Sequence, residues 1–223
     1  PTVMTKIQIL LIIYLIPSTT FALNTAPWVG TTFKGLPCQG LGSGYGPYDY
    51  INPAHKHKMP IVESYHFTRE VENHTKGKSG SIAGDLDYTL RAIPNHHKAL
   101  LSTIRYQLKL NNNLLQKKKK LLTPIECYLQ RGINFNPKDV GTLALYAYYL
   151  KKLKRYNKSE KIFQKALEIE PDNTKIQYTY SLLLIKLKLY EKALELAQKV
   201  YKKKGAPIAL KKQLIKLDIW KEK

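Results

Sequence analysis

The chain has 223 residues, a formal net charge of +21 and 43% apolar residues, enough for one medium domain with a packed core and extensions. That apolar content excludes a chain disordered throughout. Lys supplies 32 of the 37 basic residues, with Arg only at positions 69, 91, 105, 131 and 155. Bidentate reading of phosphates and base edges draws on Arg, so the imbalance argues against nucleic acid. Two readings of the charge remain: a compositional bias toward Lys, or an anionic partner.

Residues 1–3 precede Met4 and are read as an upstream scar. Lys6, the apolar run Ile7 to Ile16 broken only by Gln8, then Pro17 and small residues up to Ala22 predict a signal peptide over residues 1–22, cleaved after Ala22. The mature protein is then expected in the periplasm or outside the cell, with no transmembrane span left. The run is about half of what a bilayer span needs. Retention as an uncleaved anchor is the competing reading.

Residues 23–82 are crowded with Gly, Pro and rings, among them Trp28, Phe33, Tyr45, Tyr48, Tyr50, Tyr65 and Phe67. This predicts an irregular segment, with too many rings for a solvated tail, that wraps against helices. Gly40-Leu41-Gly42-Ser43-Gly44 follows no strand and precedes no Lys-Ser or Lys-Thr, which excludes a phosphate loop. Alternation over Met59 to Phe67 predicts one short strand. Thr68 with Glu70 and Glu72 predicts a capped helical turn, and residues 77–80 a polar linker.

Residues 83–223 read as helical. Asp85 to Ile93 is expected as the second helix of a hairpin whose first helix is missing or aberrant, closed by Pro94. Leu100, Leu101, Ile104 and Leu108 recur at helical spacing over His97 to Leu110. A longer tip follows, with Asn111 to Asn113 and Lys117 to Lys120. Pro124 then opens a helix whose buried face is Ile125, Tyr128, Leu129 and Gly132.

From Val140 to Lys204 the sequence repeats with a period of 34: Tyr156 falls on Tyr190, Ser159 on Ala193, Ala147 on Ser181 and Leu150 on Leu184. Small Ser159 and Ala166 let helix axes approach, Phe163 fills the space between hairpins, and Pro171 ends the second helix. With Tyr156 at the turn, and Tyr190 and Ala193 in the second copy, this pattern resembles the tetratricopeptide repeat. Leu143 stands where that family usually has Trp, Ala147 and Ser181 stand for its Gly, and Gly205 for the second closing Pro.

The resemblance implies an all-α array of roughly three helical hairpins, an α-solenoid that binds protein without catalysis. Ile208 to Lys223, with Leu210, Leu214, Leu217 and Ile219, is expected as its C-terminal capping helix. The strings Gly46-Pro47-Tyr48-Asp49-Tyr50, Pro60 to Thr68, Asp85 to Arg91 and Pro94 to His97 also resemble a group of secreted proteobacterial proteins of this type. That second likeness implies a structural or binding signature and no activity.

Cys38 and Cys127 are the only cysteines, and an even pair in an exported chain predicts one disulfide; buried free thiols or a reactive thiol are the alternatives. Histidines 55, 57, 66, 74, 96 and 97 show no three or four converging ligands, so no metal or other cofactor is expected. Asp85 and Asp87 read as helix-start acids, not a catalytic pair. A metal-dependent envelope enzyme is the alternative from another class.

In the resembled architecture the first helix of each hairpin lines a concave face. The corresponding residues are Lys98, Arg105, Lys109, Tyr148, Lys151, Lys152, Lys175, Tyr178 and Lys186. This predicts a basic groove with two rings, suited to a protein partner, an acidic peptide or an anionic envelope polymer. Filling of the groove by residues 23–82, and head-to-tail self-association, are the alternatives.

Overall fold

A computed structural model describes residues 25–112, 120–203 and 205–221. The predicted signal peptide at 1–22 and most of the predicted tip, 113–119, lie outside the described residues. After a 3-10 helix at Pro53–Lys58 come α1 (Met59–His66), α2 (Arg69–Glu72), α3 (Ile82–Ala92), α4 (His97–Asn111) and α5 (Ile125–Phe135). The array continues with α6 (Val140–Lys152), α7 (Tyr156–Ile169), α8 (Thr174–Lys186), α9 (Tyr190–Tyr201) and α10 (Ala209–Lys216). The described residues form no strand, only an isolated bridge between Thr31 and Pro37.

The 34-residue period is a structural period. Helices α6 and α7 start 34 residues before α8 and α9, and Asp139 and Asn173 cap the first helix of each pair by accepting from backbone amides. Both pairs turn in the same way. Lys154 (φ 59°) and Lys188 (φ 60°) adopt the left-handed conformation, and the next amides, Arg155 and Leu189, donate to Leu150 and Leu184 carbonyls at 2.9 Å. These are Schellman closures with Lys where Gly is usual.

The motif residues then pack as the repeat requires. Buried Ser159 donates its hydroxyl to the Ala147 carbonyl at 2.7 Å, satisfying both groups where α6 and α7 cross. Phe163, Ala166 and Ala193 are fully buried, and Phe163 stacks on Tyr180 with centroids 5.5 Å apart. The α10 cap inserts Leu210 and Leu214 into the same core.

Toward the N-terminus three expectations are corrected. Of residues 59–67, expected as a strand, 59–66 form α1 with Phe67 as its C-cap: Pro60 sits in the first turn, where the missing N–H costs nothing, and Met59 and Val62, three apart, bury one side. Helix α1 packs on α3 and supplies the first helix that the sequence lacked. Thr68 occupies the N-cap position of α2 without a side-chain cap bond. Helix α3 begins earlier than expected, capped by Ser81, whose hydroxyl accepts the Gly84 amide. Asp87 is therefore not a helix-start acid, since it sits beyond the first turn and accepts from the Tyr128 hydroxyl and Arg91.

Residues 25–52 are irregular and lie chiefly against α3 and α5. A disulfide joins Cys38 to Cys127 of α5, with Cα atoms 5.4 Å apart and a sequence separation of 89. Gly46 (φ 106°) passes so close to α3 that a Cβ would lie 2.3 Å from the Ala92 carbonyl oxygen. Only glycine fits there.

Two outcomes follow from this packing. Reduction should lower stability by on the order of 4 kcal/mol, the unfolded-chain entropy of so long a loop, and should make residues 25–52 the first to be cut in limited proteolysis. Lys188→Gly should raise stability by about 0.5–1 kcal/mol in urea unfolding, because it relieves a left-handed non-glycine residue.

Candidate functional site

On α4, Lys98, Ser102, Arg105 and Lys109 recur at helical spacing and share one face. The chain lays its own residues 63–75 along that face. The Ser102 hydroxyl donates to the Glu72 carbonyl at 2.9 Å, and the Lys109 ammonium donates to Nδ1 of His74 at 3.0 Å. His74 Nε2 lies 3.0 Å from the Ser102 carbonyl, which fixes its proton on Nε2. Lys98 and Arg105 stay exposed, but the α4 portion of the expected groove is occupied in part by the segment around α2.

Four other groove residues come together at the C-terminal ends of α6 and α8. The Lys152 ammonium lies over the Tyr148 ring, 5.5 Å from its centroid. Lys151 is held below the ordinary lysine range by burial, then by the charges of Lys152 and Lys186. Cations suit helix C-termini, where unpaired carbonyls leave partial negative charge. Lys175 and Tyr178 lie at the other end of α8 and border a cavity of about 520 Å³ closed by Val200, Lys203 and Pro207.

The charge is unevenly placed and poorly compensated. Residues 25–92 carry seven Lys and Arg against six Asp and Glu, whereas residues 93–223 carry 29 against ten. Between described residues, Lys199 forms an ion pair with Glu195. The other ion pairs of the described residues use Arg91 and three histidines.

The histidines act as separate packing and hydrogen-bonding groups. His66 meets Asp85 at 3.0 Å and stacks on Tyr88, buried His96 meets Glu63 at 2.9 Å, and His97 meets Asp139 at 2.8 Å. His55 accepts the Asp49 amide. Asp85 also accepts the amides of Lys78 and Ser79, which closes the linker before α3. No group of three or more His, Cys, Asp or Glu among the described residues could hold a metal.

Sequence reasoning missed Arg131 and Glu126, both buried on α5. Arg131 reaches the carbonyls of Ala26 and Leu90, each at 2.7 Å, and Glu126 accepts the Phe33 amide at 3.0 Å. Their partners lie about 40 to 105 residues away in sequence, so no local spacing reveals them.

The tetratricopeptide repeat family model matches residues 136–208. Among solved structures the chain is similar to two of MamA, each at 12% identity over 73% of this chain. One is covered over 85% with a TM-score of 0.46, the other over 79% with 0.44. It is also similar to a structure of pilF from Pseudomonas aeruginosa, at 13% identity over 74% of this chain and 86% of that one, with a TM-score of 0.29. No curated protein matches the sequence significantly. No helix among the described residues is long and apolar enough to cross a membrane.

Burial, then Lys109 and Arg105, push His74 down to about 4, and burial also lowers His96. A lowered histidine pKa contributes stability that is present above the unfolded value of about 6.5 and is lost as pH falls toward the folded one. Urea midpoints should hold steady above about pH 7 and fall between about pH 6.5 and 5, and His74→Gln should flatten part of that slope.

Proposed function

With residues 136–208 as tetratricopeptide repeats, we propose that this chain is an exported, non-catalytic scaffold that binds an acidic peptide or protein segment along α6 and α8. Repeats of this kind are protein-interaction scaffolds, and stacked hairpins present extended surfaces for partners. The observation that carries the reading is the lysine cluster at Lys151, Lys152 and Lys186. Its half-buried member is opposed by two like charges, beside the Tyr148 ring. A carboxylate bound there relieves that repulsion through charge-assisted hydrogen bonds, while Tyr148 and Tyr178 offer ring faces to the chain that carries it. Export is supported by the signal pattern in residues 1–22 and by a disulfide of the kind that persists in oxidising compartments. An anionic envelope polymer would meet the same cations, through charge alone.

One observation favours a second reading, self-association. Ile208, Ile215 and Leu217 are 59%, 41% and 41% exposed at the C-terminal end of the array. Head-to-tail packing through that end would give a mass that rises with concentration.

The test is capture from the producing organism's envelope with the oxidised mature protein, washed at about 0.05 M and about 0.5 M salt. A discrete protein should survive the high-salt wash. Lys152→Glu with Lys186→Glu, both exposed positions, should weaken its binding about tenfold or more with the helical circular dichroism unchanged. Tyr148→Ala with Tyr178→Ala should also weaken it. Mixed anionic material recovered only at low salt, indifferent to the tyrosines, would refute the reading.

A further inference from the structure

We propose that a second recognition surface, built mostly by parts of the chain before the repeat together with the end of α6, binds an extended peptide with apolar side chains set between carboxylates. It is a groove of about 810 Å³ between the loop at residues 31–37, the end of α4, the start of α5 and the end of α6. None of the nine predicted groove residues lines it.

Its floor is Phe33, which stacks on Tyr149 with centroids 6.1 Å apart and carries the Arg155 guanidinium 4.0 Å from its ring. Leu110, Leu121 and Leu153 line the groove, and Leu36 stands 62% exposed at its rim. The carboxylate that lines it, Glu126, is buried and turned to the Phe33 amide. Lys34 and Lys120 bring the opposite sign, with Arg155 behind Phe33. An apolar interior with cationic edges complements a peptide that offers Leu-sized side chains inward and carboxylates outward.

The wall is held rigid, which keeps the ordering cost of binding low. The Thr32 hydroxyl accepts the amides of Lys34 and Leu36, and the Gly35 amide donates to the Thr32 carbonyl at 2.9 Å. Gln130 donates to the Thr31 carbonyl at 2.8 Å, and the disulfide ties Cys38, at the end of the loop, to α5. This surface therefore depends on the oxidised bond, whereas Lys151, Lys152 and Lys186 of the lysine cluster do not line it.

The experiment uses the full oxidised protein and a fluorescein-labelled peptide of alternating Glu and Leu, read by fluorescence anisotropy. Glu-Ser and Lys-Leu peptides serve as controls. The Glu-Leu peptide should bind best. Reduction, or the exposed-position change Leu36→Asp, should each weaken it by about tenfold or more, and Lys34→Glu should weaken it as well. Lys186→Glu with Tyr148→Ala should leave this binding in place, so that failure here is separable from failure of the α6 and α8 reading. Equal binding of the Glu-Ser peptide would overturn the proposal, as would indifference to Leu36→Asp or loss with Lys186→Glu. A concentration-dependent mass that Leu36→Asp abolishes would reassign the face to a second copy of the chain.

Discussion

A single buried cation ties the irregular segment of this protein to its helices. Arg131 is 1% exposed, and burial lowers its pKa to about 10, so it stays charged at neutral pH and has to find acceptors. Beyond the Ala26 and Leu90 carbonyls, its guanidinium donates to the Ser43 hydroxyl at 3.0 Å and the Arg91 carbonyl at 3.2 Å, and it lies over Trp28. Leu90 and Arg91 belong to the last turn of α3, whose carbonyls have no partner within the helix once Pro94 ends it. The Tyr48 amide takes a third such carbonyl, that of Ala92, at 2.8 Å. The segment at 25–52 is thus the cap of α3 as well as a covering layer, and a positive charge at that helix end is favoured by the dipole.

The two halves of the molecule rest on different physics. From α6 onward, small residues at crossings, a fully buried Phe163 and two identical turns let hairpins stack with almost no buried charge. Before α6, an apolar core that includes Leu86, Leu90, Leu100, Ile104, Ile125 and Leu129 is joined by polar, long-range contacts. Asp87 joins Tyr128 to Arg91, and Asn95 joins Asp49 to Asp139, which caps α6 and meets His97. Such networks hold only when every member is satisfied, and they tie α3 and α4 to the start of the repeat. The array's positive charge lies mostly outside these networks, on solvated helix faces. It is available to a partner because the fold does not consume it.

That division explains why two surfaces of different character arise on one chain. The repeat face along α6 and α8 is set by side chains recurring on helices, and it offers charge and rings. The groove beside Phe33 is set by a stapled loop, the end of α4, the start of α5 and the end of α6, and it is apolar inside. The α4 stripe, by contrast, is partly spoken for by His74 and the residues around α2, so a regular solenoid face does not run the full length of the array.

The sequence by itself determined the helical array. Its 34-residue period, Ser159, Phe163, Ala166 and Pro171 give hairpin length, crossing points and ends, because those features arise from local periodicity and from the size of single residues. It also pointed to the cysteine pair, through parity and compartment. It misled at residues 59–67, where a nine-residue window fits alternation and only the packing of Met59 and Val62 on α3 selects a helix. Only the tertiary structure decided which cations remain open, where Arg131 and Glu126 go, and that the Gly-rich segment lies on α3 and α5. Those outcomes depend on partners up to about a hundred residues apart, and desolvation acts on the assembled environment of a group, not on its neighbours in sequence.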